Sequence, residues 1–288
     1  MRSVALPRLI VVLAALGMPL LNACTAPLLT LERPVVLLGE VHDNAAQHAI
    51  RLRAFETLLA RGLRPALLME QFDREQQGRI DALRQSEPDL DAERLIAATG
   101  GSAGWNWAHY QPFITLALRY RLPIVAANVS RADARRVIQD GLAAHGFDTA
   151  VPDDILAGHT SAIAAAHCGQ IDAPTAQRMA RAQVARDQFM ARQVEAYAAR
   201  GVVLLAGNGH VRTDLGVPRW LSAPTRARSE AIGLLEPEDP APQAYDRVVV
   251  TPAQTRTDPC AGVYPRRTPG AAAHARPIDA SAPPRGST

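Results

Sequence analysis

Lysine is missing from all 288 residues, so arginine supplies the whole basic complement of 31. Any anion held here by a cation must be met by a planar guanidinium or by histidine, never by an ammonium. Cysteine is nearly missing as well, with three in the chain, and aromatic residues make up 5%. Long apolar runs are also lacking. The longest, "LIVVLAALGMPLL" (9–21), falls short of the ~20 residues a membrane-spanning helix needs. There are no internal repeats. The formal charge is only +3, and two of those charges, Arg2 and Arg8, lie beside that apolar run at the N-terminus. The charge balance therefore gives no reason to expect a nucleic-acid partner. What is present is an ordinary globular composition, 48% apolar and 20% charged, enough to build a real core.

The N-terminus has the plan of a secretory leader. "MRSVALPR" carries the positive charge, the apolar run follows, and "LNAC" (21–24) closes it. A leucine three residues before a cysteine, with Ala23 just before it, resembles the bacterial lipobox, from which Asn22 departs. The expectation is a signal peptide over 1–23, a mature chain lipidated at Cys24, and a linker over 24–33. Ala26 is not the aspartate that retains lipoproteins in the inner membrane, which points to the outer membrane of a Gram-negative bacterium. In an oxidising envelope compartment the two remaining cysteines, Cys168 and Cys260, are expected to pair. Both lie in loop-like segments, "AAHCGQIDAP" and "TDPCAGVYP". The last stretch, 265–288, is rich in Pro, Ala, Arg and Ser and reads as a disordered tail.

Six short apolar runs read as strands: 34–41, 65–72, 122–129, 201–211, 229–236 and 246–251. The first four are apolar at consecutive rather than alternate positions, the mark of strands covered on both faces. Helical patterns lie between them, among them "NAAQHAIRLRAFETLLARG", with Asp43 or Asn44 placed to cap its start, and the long "APTAQRMARAQVARDQFMARQVEAYAARG". This alternation predicts an α/β fold over 34–264, a mainly parallel sheet flanked by helices. Two insertions, about 73–108 and 131–173, would form a helical cap.

In open parallel sheets, ligands bind beyond the carboxyl ends of the strands. Here those ends turn polar together: "VVLLGEVHDN" delivers Glu40 and His42, the second strand Glu70, the third Asn128 with Ser130 and Arg131 behind it, the fourth Asn208 and His210. Glu40 and His42 are two apart and share a face if extended. A carboxylate beside an imidazole can orient it, join a metal site or act as an acid/base pair. Glu40, His42, Glu70 and His210 thus make a candidate catalytic or divalent-metal set. His48, His145, His159 and His274 read as structural or exposed. On the long helix Met179, Gln183, Arg186, Asp187, Met190 and Val194 share one face. Either Arg186 and Asp187 pair internally, or Gln183 and Arg186 face the same rim. Four of the thirteen aromatics fall within "GWNWAHYQPF" (104–113). That density suits an aromatic plug, or the wall of a planar ligand such as a porphyrin.

Taken in order, "LLGEVHDNAAQH", "LLMEQFDREQQ", "WAHYQPFITLALRYRLPIVAANVSR", "QVARDQFMARQV" and "VVLLAGNGHVRTDLGVPRWL" resemble the ChaN-like family of haem-binding lipoproteins. The resemblance spans about 32–235. The wider superfamily includes Tiki-type metal-dependent proteases and erythromycin-esterase-like enzymes. The resemblance implies an α/β core with a helical cap, a role in haem or iron uptake, and haem bound through an axial tyrosine and sandwiched in a homodimer. Tyr110 is the tyrosine it points to, with His109 as the second choice. Asn128, Arg131, Gln183 and Arg186 would be further contacts, the arginines meeting the propionates. The wider superfamily implies instead a metal-dependent envelope hydrolase built on Glu40, His42, Glu70 and His210.

Overall fold

A computed structural model describes residues 29–100, 104–239 and 241–262. The leader, Cys24, His274 and the 265–288 tail lie outside the described residues. Six strands form one sheet: β1 (Val35–Leu38), β2 (Ala66–Asp73), β3 (Ile124–Asn128), β4 (Val202–Leu205), β5 (Ser229–Leu235) and β6 (Arg247–Val250). Their order is β3-β2-β4-β1-β5-β6, and every neighbouring pair is parallel. The α/β class expected from the alternation is the one found.

The helices are α1 (Ala45–Ala60), α2 (Gln77–Ser86), α3 (Ala92–Ala98), α4 (Gln111–Arg119), α5 (Arg131–Asp140), α6 (Asp153–Ala166), α7 (Ala173–Tyr197), α8 (Asn208–Val211) and α9 (Ala223–Ala227). Alternate residues of the central strands feed two cores, as the period-2 geometry requires. Val36, Leu38, Leu67 and Met69 pack with Phe55 and Leu59 of α1 and with Phe113 and Ile114 of α4. Val35, Leu37, Ala66 and Leu68 pack with Met190, Ala191 and Val194 of α7.

The two stretches expected as a cap behave differently. Ile80, Ala92 and Leu95, from 73–108, belong to the same core as the sheet face. That stretch is therefore part of the layer on that face rather than a separate cap. In 131–173, Val137, Leu142 and Ile155 pack against Val184 and Ala185 of α7 in a core of their own. The strand expected over 201–211 also ends early, at Leu205, and the chain turns at Gly207 into the single turn of α8. The two capping candidates separate. Asn44 caps α1, its side chain accepting from the amides of Ala46 and Gln47. Asp43 instead accepts from Nε and Nη2 of Arg256, at 2.7 and 2.6 Å. Cys168 and Cys260 are joined as a disulfide across 92 residues, tying the segment after β6 to the turn between α6 and α7.

Candidate functional site

Strand order explains why the polar residues meet. β2, β4 and β1 are adjacent at the centre of the sheet, and Leu205 of β4 is level with both Leu38 and Met69. The residues just after these three positions must therefore emerge together at the carboxyl edge. The approach is close enough to demand glycine twice. A Cβ on Gly39 would lie 2.3 Å from Asn208 Oδ1, and one on Gly207 would lie 2.8 Å from His42 Cε1 and 3.0 Å from its Nε2. The pairing of β2 with β3 also shifts register between Met69 and Asp73, and Glu70 stands in that irregular stretch.

Glu40 is the hub of the first cluster. Its side chain is fully buried, and Arg51 of α1, equally buried, forms an ion pair with Oε2. His42 Nδ1 lies 2.8 Å from Oε1 and must be the donor, since the carboxylate can only accept. The hydroxyl of Tyr110 donates to the same oxygen. His48 Nε2 is 2.9 Å from the carbonyl of His42, and its Nδ1 is 3.4 Å from Glu40 Oε2. Burial holds His48 down at about 4, so at neutral pH that second contact is proximity rather than an ion pair.

The second cluster is a chain of four side chains. Glu70 Oε2 accepts from the Gly207 amide at 2.7 Å, and its Oε1 lies 3.4 Å from His210 Nε2. His210 Nδ1 is 2.6 Å from Asp187 Oδ1, and Asp187 Oδ2 is 3.2 Å from His159 Nε2. Burial would neutralise Glu70, but His210, by charge and hydrogen bond, outweighs it and brings the carboxyl down to about 2. Burial likewise opposes the charge on His210, yet Glu70 and Asp187 together push the imidazole up to about 10. His210 is thus a buried cation clamped by two carboxylates.

These clusters flank a cleft of about 490 Å³ lined by His42, Glu70, Asp73, Gly104, Trp105, Asn128, Val129, Arg131 and Arg186. The volume is in the range of small-molecule sites, roughly 300–1,000 Å³. Trp105 meets the His42 ring edge to face at 4.8 Å. Among the described residues neither Arg131 nor Arg186 has a carboxylate partner for its guanidinium, and Arg186 Nε is buried without a hydrogen-bond acceptor. A second cleft, of about 450 Å³, shares His42 with the first and includes His159, Gln183, Asn208, His210 and Asp239.

The expected site residues therefore divide. His42, Glu70, Asn128, Arg131 and Arg186 come together at the first cleft, while Gln183 faces the second. Asn128 Oδ1 accepts from the next amide, Val129, at 2.9 Å. Tyr110 is fully buried and its hydroxyl is spent on Glu40, so it does not present an oxygen to the cleft. His109 stacks on His48 with ring centroids 4.2 Å apart and is not part of the cleft lining. Glu40, His42, Glu70 and His210 do not form one ligand set, because Arg51 and Tyr110 occupy Glu40. Among the described residues no group of three or more His, Cys, Asp or Glu is placed to hold a metal ion. Asp187 pairs with His210 and His159, not with Arg186.

The sequence reading did not single out Arg51, gave Asp187 Arg186 as its partner, and read His159 as structural or exposed. Arg51 left a signal, since Gln47, Arg51 and Phe55 recur at helical spacing on the buried face of α1. The actual partners of Asp187 and His159 left no signal, because they lie on other elements.

The sequence matches the family model described as haem-binding uptake, Tiki superfamily, ChaN, over residues 30–221. No curated protein matches it. A similar solved structure is that of cofacial haem binding to ChaN of Campylobacter jejuni, at TM-score 0.61 and 19% identity, covering 75% of this chain and 86% of that one. The type III effector HopBA1 is more distant, at TM-score 0.41 and 11% identity over 77% of this chain and 88% of that one. An erythromycin esterase mutant, EreC H289N in its open conformation, stands at 0.39 and 14% over 71% and 70%.

Proposed function

Because this chain belongs to the haem-binding uptake family of the Tiki superfamily that includes ChaN, we propose that it is a haem-binding lipoprotein of the cell envelope serving haem or iron uptake. The observation that carries the reading is the first cleft, where Arg131 and Arg186, without carboxylate partners among the described residues, line the same space as Trp105. A haem needs that combination: a flat apolar surface for the macrocycle and cations for two propionates. With lysine absent from the chain, guanidinium is the cation on offer, and its planar fork suits a carboxylate. Trp105 would pack against the porphyrin, and Arg131 and Arg186 would meet the propionates. Glu70 and Asp73 also line the cleft, so the carboxylates would favour the arginine side.

When bound, haem supplies an iron centre that can be carried or surrendered. The protein's own part is to orient the macrocycle, neutralise its acid groups and exclude water from one face. Anchoring through Cys24 in the outer membrane, and a homodimer enclosing haem between two copies, belong to the same proposal. Among the described residues no helix is long and apolar enough to cross a membrane, and a lipid on Cys24 would supply the attachment. Titrating the purified chain with haemin should give a saturable Soret shift at micromolar concentration; a flat titration removes the haem reading. Labelled palmitate should enter the wild-type chain in cells and not the Cys24→Ser variant.

A second reading, an envelope hydrolase, is favoured by one feature. Glu70 lies 3.4 Å from His210 Nε2 and within electrostatic reach of His42, while the Nδ1 of each ring is held by its own buried carboxylate. Carboxylate-oriented imidazoles around a third carboxylate suit acid/base work or a divalent metal such as the wider superfamily implies. Elemental analysis of the purified chain and its Glu70→Ala variant tests the metal form of this reading.

A further inference from the structure

We infer that the edge of the sheet where the strands begin, opposite the clefts, is the face this protein lays on an anionic phospholipid bilayer, with Arg33, Arg64, Arg200 and Arg228 holding a headgroup phosphate between them. The inference takes the bilayer from the lipoprotein reading above and goes beyond it by assigning the face and the lipid charge.

All six strands run parallel, so their first residues share one edge. An arginine stands at the start of each. Arg33, Arg64, Arg121, Arg200 and Arg228 lie one to three residues before β1 to β5, and Arg247 opens β6. Register gathers them. Val35 is level with Val202 and Ser229, and Ala66 with Val202. Arg33, Arg64 and Arg200 each stand two residues before a member of that row, and Arg228 one residue before. These four arginines, Glu32 and Leu63 are among the residues lining a pocket of about 170 Å³.

All four arginines are exposed, and none has a carboxylate partner among the described residues. Arg64 donates to the carbonyls of Leu59 and Leu63, at 2.9 and 2.8 Å, and lies over the Tyr120 ring. Arg200 donates through Nε to the carbonyl of Arg64 at 3.2 Å. Two guanidiniums are thus held in place with donors to spare, as recognition of a phosphate requires. Helix carboxyl ends favour nearby cations. That accounts for Arg64 after α1, but not for Arg33, which no helix precedes among the described residues.

Leu63 is 45% exposed and sits beside Arg64 on the same edge. An apolar side chain held out among guanidiniums suits the headgroup boundary of a bilayer, where both find their solvent. The chain also enters the fold here. The carbonyls of Thr30 and Leu31 accept from Arg247 and Arg61, at 2.7 and 3.0 Å. Cys24 lies five residues before Leu29, so a lipid on its thiol starts within ~18 Å of Leu29 whatever path the chain takes. Anchor and patch then meet one surface, and the clefts at the other ends of the strands face water.

The test is cosedimentation of the chain 24–288, carrying Cys24→Ser so that no lipid contributes, with vesicles of phosphatidylcholine alone or with a third of phosphatidylglycerol. This parent should bind the anionic vesicles, release them as salt rises, and ignore the neutral ones. The triple variant Arg33→Gln, Arg200→Gln, Arg228→Gln should bind about 100-fold more weakly, roughly fivefold per arginine. The triple variant Arg79→Gln, Arg135→Gln, Arg178→Gln removes the same charge from exposed positions on α2, α5 and α7 and should bind as the parent does. Leu63→Ser should weaken binding a few-fold at every salt concentration. Circular dichroism confirms that each variant is folded; should the first triple variant unfold, Arg33→Gln and Arg228→Gln decide singly. Equal loss in the two triple variants would mean diffuse charge alone and overturns the inference. So does failure of the parent to bind anionic vesicles, or tighter binding to a DNA duplex than to those vesicles. Palmitate labelling judges the lipoprotein reading separately. Label without vesicle binding removes the patch and keeps the anchor, and vesicle binding without label does the reverse.

Discussion

Arg51 and Glu40 form an ion pair in which both side chains are wholly removed from water. Glu40 also receives His42 and Tyr110, so one carboxylate links helix α1, the end of β1 and the aromatic segment before α4. Breaking such a pair leaves an uncompensated buried charge, at a cost of about 3–5 kcal/mol. Glu40→Ala should therefore destabilise the protein by roughly that amount in urea unfolding. The double variant Glu40→Leu, Arg51→Met should recover much of the loss. A double variant no more stable than Glu40→Ala would show that the damage comes from lost hydrogen bonds and not from the stranded guanidinium.

Stability should peak near pH 6.5. Glu70, at about 2 against an ordinary 4.5, stabilises the fold fully above pH 4.5, and this is lost as pH falls toward 2. His48, held near 4 against 6.5 by burial, must stay neutral, so the fold weakens as pH falls from 6.5 toward 4. His210, raised to about 10 from 6.5, stabilises fully below 6.5, and its contribution is lost as pH rises toward 10. Melting temperatures measured from pH 4 to 10 should trace a dome. A melting temperature that keeps climbing above pH 7 contradicts the clamped His210 cation.

Arg131→Ala and Arg186→Ala should each weaken haemin binding about tenfold, or ~1.4 kcal/mol, the scale of one charge-assisted contact. Because neither guanidinium has a carboxylate partner among the described residues, melting temperature should hardly change. Raised salt should weaken the wild type more than either variant. Equal haemin affinity in all three proteins would exclude these arginines from propionate recognition.

Reducing Cys168–Cys260 frees a loop closure of 92 residues, worth about 4–5 kcal/mol at most by chain entropy. The same segment is held by Arg256 to Asp43 and Glu236, and Asn44 donates to the carbonyl of Pro252. The Cys168→Ser, Cys260→Ser variant should therefore unfold at lower denaturant yet keep the body of the fold. Hydrogen exchange should rise first in residues 251–262. Uniformly faster exchange across β1 and β4 would mean the disulfide holds the core itself.

Much of the plan was legible in the chain. Consecutive apolar residues at 35–38, 66–69 and 202–205 require two covered faces, because alternate side chains of a strand point opposite ways. Polar residues at the ends of those runs then had one place to go, and His42 and Glu70 are found at one cleft, joined there by Arg131 from the start of α5 and Arg186 from the middle of α7. The Cys168–Cys260 disulfide followed from the cysteine count and an expected oxidising compartment. Three roles were not legible. Tyr110 sits in an aromatic segment whose pattern is the same whether the ring faces a ligand or the core. Asp187 and His159 are two polar residues on different helices, and periodicity within one helix says nothing about a partner on another.

The sequence by itself determined the class of the fold, the capping of α1 by Asn44 or its neighbour, and the chemical character of the cleft, with arginine and histidine its available cations. These follow from local period and residue type, which any segment carries with it. Only the tertiary structure decided which oxygen of Glu40 meets Arg51, that Tyr110 turns inward, and that His42 lines the cleft while His109 stacks on His48. Those outcomes depend on how β4 slots between β2 and β1 and how α1 and α7 pack on opposite faces. Burial and partner are properties of that packing, and no single segment encodes them.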